Sequence, residues 1–85
     1  MPGEVNAKDL MYINEECQID DYDNLPRILK NDMIEMQTYY EQDDWVGFDC
    51  CLEAFEATVK QCKLSGRITD KQFDQLFAKY GLYGS

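Results

Sequence analysis

A chain of 85 residues with a formal charge of −9 and no histidine is confined to one small domain, since a polypeptide this short buries only about 60–65% of the surface its unfolded form exposes. The missing imidazole removes the commonest general base, the Ser–His and Cys–His nucleophilic pairs and the Glu-x-x-His ligands of helical di-iron proteins, so composition points away from an enzyme. Apolar residues make up 45% of the chain and include one Trp, four Phe and six Tyr, enough to fold without staples, while no apolar run approaches the ~18 residues of a membrane span.

Charge is unevenly placed. Fifteen of the 17 Asp/Glu but only three of the eight Lys/Arg fall in residues 1–56, a local balance of −12, whereas residues 57–85 carry +3. Such a field repels nucleic-acid phosphates and draws in basic partners. Met1–Leu10 has neither a basic start nor an apolar stretch, so a reducing, cytoplasmic setting is expected, with Cys17, Cys50, Cys51 and Cys62 as thiols. Their spacing lacks the Cys-x-x-Cys of structural zinc sites, and we expect no metal or cofactor.

In chain order, residues 1–5 read as a flexible end and 6–85 as a single helical domain. Asn6 is a good cap, and Leu10, Ile13 and Cys17 recur at i, i+3, i+7, which predicts a helix over 7–17. Asn24 and Pro26 then mark a start, because proline suits a helix's first turn. A helix over 25–41 aligns Leu25, Ile28, Leu29, Met33, Met36 and Tyr40 on one face. Trp45, Phe48, Leu52, Phe55, Val59 and Cys62 follow at alternating spacings of 3 and 4, a buried seam capped by Asp43 or Asp44. Neither glycine nor proline occupies 40–46, so no breaker marks the boundary between these two helices.

The stretch KLSGRITDKQFDQLF, residues 63–77, is similar over about a dozen residues to the second half of a calcium-binding EF-hand. Counting ligands excludes the ion. With the loop begun at Gln61, positions one, three and twelve are Gln61, Lys63 and Gln72, none of them a carboxylate. The same residues make sense as a turn between helices: Gly66 supplies a left-handed residue, Thr69 and Gln72 a capping box, and Ile68 with Phe73 a hydrophobic staple. A helix over 70–80 should bury Phe73, Leu76, Phe77 and Tyr80, then stop at Gly81 with Leu82 touching Phe77. The expected fold is all-α, a compact bundle of three to four short helices ending in an αα-hairpin.

Two stretches set aromatic side chains among carboxylates: residues 15–23, with Glu15, Glu16, Asp20, Asp21, Tyr22 and Asp23, and residues 39–45, with Tyr39, Glu41, Asp43 and Asp44; Asp49 extends the second. Apolar area combined with a charge that selects basic partners suits protein recognition. Glu41, Asp43 and Asp44 also lie at a helix C-terminus, where the dipole disfavours them. These eleven residues are the candidate partner-binding set. The implied function is a non-enzymatic inhibitor, immunity or antitoxin-type protein that occludes the basic surface of a nucleic-acid-binding protein or toxin. It would contact neither nucleic acid nor membrane directly. A rival is a structural homo-oligomer joined through Tyr39, Val46, Cys50 and Tyr83. The acidic row Asp49, Glu53, Glu56 reads as a solvated helix face, and the cations Lys60, Lys63, Arg67 and Lys71 as complements to neighbouring acids.

Overall fold

The structure, a computed structural model, describes residues 11–82. Three α-helices follow one another: α1 Arg27–Glu41, α2 Trp45–Leu64 and α3 Asp70–Tyr80, preceded by a 3-10 turn at Tyr22–Asn24, and no strand occurs among the described residues. The fold is an all-helical compact globule.

Each helix ends in the same way. In α1 the Asp44 amide donates to the Tyr39 carbonyl at 2.9 Å and the Asp43 amide to Tyr40 at 3.3 Å; in α2 Arg67 donates to Cys62 at 2.9 Å and Gly66 to Lys63 at 3.1 Å; in α3 Leu82 donates to Phe77 at 2.9 Å. These paired bonds satisfy carbonyls that a helix end leaves open, and they require one residue in the left-handed region. Gly66 and Gly81 fill that place with φ of 77° and 62°, but in α1 it falls to Asp43, at φ 58°. The α1–α2 boundary is therefore a sharp corner made by an aspartate.

Helix starts vary more. α1 begins behind Pro26 with no side-chain cap, its first amides reaching the Pro26 carbonyl. α2 is capped by Asp44, whose carboxylate accepts from the Gly47 amide at 3.1 Å. α3 has the complete capping box: Thr69 Oγ1 accepts from the Gln72 amide, and Gln72 Oε1 accepts from the Thr69 amide.

The core follows from the helix periods. Leu29, Met33 and Met36 of α1, Phe48, Phe55, Val59 and Cys62 of α2, and Leu76, Phe77 and Tyr80 of α3 are buried in one cluster. Phe55 and Tyr80 meet edge-on, with centroids 5.2 Å apart, and Phe73 packs on Phe77 at 4.3 Å. At the corner, α1 and α2 approach closely enough that a Cβ on Gly47 would lie 2.6 Å from the Tyr39 ring.

Several expectations are corrected. The helix over 7–17 does not form where it is described: residues 11–19 hold no helix, while 7–10, and residues 1–5 for which a flexible end is expected, lie outside the described residues. Met11 and Ile13 are buried and Tyr12 between them is exposed, the alternation of an extended strap. That strap runs antiparallel along α3. The Asn14 amide donates to the Lys79 carbonyl at 2.7 Å, Lys79 Nζ donates to the carbonyls of Asn14 and Cys17, the Asp20 amide donates to Gln75 Oε1 at 2.8 Å, and Gln72 Nε2 donates to the Asp20 carbonyl at 2.8 Å. Extended backbone has no internal hydrogen bonds, so α3's polar face supplies them. Trp45 is the second correction: it is exposed, because contact between α1 and α2 begins at Gly47 and Phe48, opposite Tyr39 and Tyr40, and the corner leaves nothing beyond them to cover it. Ile28, expected on the buried face of α1, is also exposed.

Candidate protein-binding site

The two acidic stretches do not form one surface. Residues 20–23 sit at the start of α1, where Lys30 Nζ donates to the Asp23 carbonyl at 2.9 Å and lies 5.8 Å from the Tyr22 ring centre. Glu41 closes its other end, and Asp43 and Asp44 follow just past it. A helix of 15 residues separates them by about 22 Å at 1.5 Å per residue.

Much of the first stretch is used internally. Asp20 makes a 3.0 Å ion pair with Lys71, whose hydrogen bond and charge hold its carboxyl below the usual range. Asp21, at φ 51°, accepts from the Asn24 side chain at 2.8 Å, which fits an aspartate stabilising its own left-handed turn. Glu15 and Glu16 are exposed in a turn before Cys17. Tyr22 is partly exposed and, with Met33 and Lys79, borders two adjoining clefts of about 260 and 290 Å³ between the strap, α1 and α3.

The second stretch is different in kind. Glu41 is exposed and accepts from Gln37 Nε2 at 3.0 Å; Asp43 holds the turn; Asp44 caps α2; Asp49 stands exposed one turn into α2. Tyr39 is half-buried, its ring lying over Gly47. The corner presents Trp45, 44% exposed, and Val46, 55% exposed. Asp49 lies four residues from Trp45 and three from Val46, so all three share a helical neighbourhood. No lysine or arginine among the described residues makes an ion pair with Glu41, Asp44 or Asp49. The cations instead serve elsewhere: Lys60 pairs with Glu56 at 2.9 Å, and Lys63 sits 4.3 Å from the Phe73 ring centre with Asp70 at 4.0 Å.

Sequence reasoning missed Trp45 as a surface residue because its spacing continues the buried seam by one step. The available signal was the pair Asp43–Asp44 immediately before it: a corner there removes the helix that a seam residue needs to face. It also missed a third grouping, in which Asp32 and Glu35 of α1 approach Cys51 of α2. Cys51 Sγ lies 3.8 Å from both the Asp32 carbonyl and Glu35 Oε2. Burial, then the charges of Asp32 and Glu35, push the Cys51 thiol up to about 11, and burial followed by Glu35 raises the Asp32 carboxyl. A thiol so placed is a poor nucleophile at neutral pH. Compared with known proteins, the chain matches no family model, no curated protein and no solved structure.

Proposed function

We propose that this is a small acidic, non-enzymatic binding protein whose α1–α2 corner docks on a basic surface of a partner protein. The observation that carries the reading is the exposure of Trp45 (44%) and Val46 (55%) among Glu41, Asp43, Asp44 and Asp49. Tryptophan is the residue most enriched at binding hot spots, and a rim of like charges chooses the partner by sign while speeding encounter. An anchor ringed by carboxylates therefore suits a groove lined by lysine and arginine, such as the nucleic-acid-binding face of a toxin or regulatory protein. The mechanism is steric occlusion with electrostatic steering. In this reading the protein acts in the cytoplasm as an inhibitor, immunity or antitoxin-type module, and α2 and α3 serve as an αα-hairpin that holds the corner rigid. No helix of the described residues is long and apolar enough to cross a membrane.

The test compares the wild type with Trp45→Ala and with the triple variant Glu41→Gln/Asp43→Asn/Asp49→Asn as baits in lysate at low salt, eluted by rising salt. Basic proteins retained by the wild type and released by both variants support the assignment; equal recovery on all three baits removes it.

Homo-oligomerisation is favoured by one observation, the exposure of Val46 and Cys50 one turn apart on α2, with Tyr39 only half-buried nearby; Tyr83 lies outside the described residues. Light scattering across a concentration series decides it: a mass of 10.0 kDa at every concentration rules out self-association.

A further inference from the structure

Asp32 and Glu35 stand three residues apart on α1, a spacing that puts both carboxylates on one face. That face meets α2 at Cys51, and one ligand atom from each of the three residues lies within 4.8 Å of the other two. The group is more than a solvated acid pair. Asp32 and Cys51 are half-buried, the thiol comes from a different helix, and no lysine or arginine among the described residues pairs with either carboxylate. Three groups able to carry negative charge thus converge at a helix interface without a lysine or arginine of the described residues paired to them.

We propose that Asp32, Glu35 and Cys51 form a binding site for a borderline divalent cation, with Zn²⁺ as the natural occupant. Zinc bonds of about 2.3 Å to sulfur and about 2.1 Å to oxygen place tetrahedral ligands roughly 3.4–3.6 Å apart, so closing the site takes a side-chain movement of about 1 Å. Glu35 is exposed and already holds Oε2 3.8 Å from the Cys51 sulfur. The donor set selects the ion: one thiolate with two carboxylates disfavours Ca²⁺ and Mg²⁺, which demand more oxygens, and Cu⁺, which favours soft ligands throughout. On binding, a sulfur–zinc bond replaces the S–H bond and the proton leaves to solvent; both carboxylates bind as anions, and a water completes the tetrahedron. The ion would cross-link α1 to α2. This inference is independent of the docking surface, since it uses none of that surface's residues.

The test uses the full chain, reduced and freed of metal. Zn²⁺ is titrated by calorimetry, and Co²⁺ is added separately to observe thiolate-to-cobalt charge transfer in the near ultraviolet. The site predicts one equivalent of Zn²⁺, a cobalt band absent in Cys51→Ser but retained in Cys50→Ser, and affinity at least about tenfold weaker in Glu35→Gln, the loss that even outer-shell changes cause. Glu35 is exposed, so its variant leaves the fold intact, checked by far-ultraviolet dichroism. The absence of saturable one-equivalent binding overturns the proposal. So does a cobalt band that survives Cys51→Ser, or affinity unaltered by Glu35→Gln and Asp32→Asn, which means an adventitious ion only.

Discussion

Replacing Gln72 by glutamate sets a local rule against a long-range contact. At the third position of α3, a capping box accepts either residue, and the helix dipole favours the charged one by about 0.3–1 kcal/mol. Local sequence rules therefore expect Gln72→Glu to be neutral or stabilising. In the structure, however, Gln72 is 7% exposed and uses both ends of its amide: Oε1 accepts from the Thr69 amide at 2.9 Å, and Nε2 donates to the Asp20 carbonyl at 2.8 Å. Glutamate keeps the first bond and turns the second into an oxygen facing an oxygen. The lost bond is worth about 1 kcal/mol and the stranded carbonyl about 1–3, against the dipole's gain, for a net destabilisation of about 2 kcal/mol. At about 4–8 °C per kcal/mol for a domain this size, the melting temperature should fall by about 8–16 °C at pH 7. The sign with pH is fixed. The new carboxyl's folded pKa is raised above its free value of about 4.3, so the penalty is present at neutral pH and fades as pH falls through the folded pKa, where the protonated acid donates again. Thermal melts by circular dichroism from pH 3 to 7 measure this. A Gln72→Glu protein as stable as the wild type at pH 7 would refute the strap's attachment to α3.

Gly47→Ala gains about 1 kcal/mol of helix propensity but drives a methyl to 2.6 Å from the Tyr39 ring, so we expect a net loss of about 1–2 kcal/mol that is smaller when measured in a Tyr39→Ala background. Because Lys71 depresses the Asp20 carboxyl below its ordinary 3.8, the pair's contribution is present above that value and lost as pH falls through the folded pKa. Asp20→Asn should lower the melting temperature slightly at neutral pH, where the pair is formed, and converge on the wild type as pH falls below about 4.

Local chemistry made much of the fold legible. Gly66, Gly81 and the Thr69–Gln72 box mark helix ends through requirements that only a few residue types meet, and Leu29, Met33, Phe55, Val59 and Leu76 fall on helical periods that place them in the core. What stayed hidden depends on partners distant in sequence. Ile13 and Cys17 fit a helical spacing, yet the strap's conformation is decided by Lys79, Gln75 and Gln72 more than fifty residues away. Asp43 breaks the chain where glycine is the usual signal. Trp45 sits on the seam by period and outside it by geometry, because a hydrophobic pattern records a helix face without recording how far the neighbouring helix extends. The eleven candidate residues likewise gave composition without position: a helix length separates residues 20–23 from the corner, and Asp20 makes an ion pair with Lys71.

The most direct test of the docking account is the association rate between this protein and a captured basic partner, measured by stopped flow using the fluorescence of Trp45, over a series of salt concentrations. The account predicts that the wild-type rate falls steeply as salt rises, and that Glu41→Gln/Asp43→Asn/Asp49→Asn binds more slowly at low salt with a much flatter dependence. Asparagine tolerates the left-handed turn at 43, so the corner survives the substitution. Identical rates and salt slopes for the two proteins would contradict it.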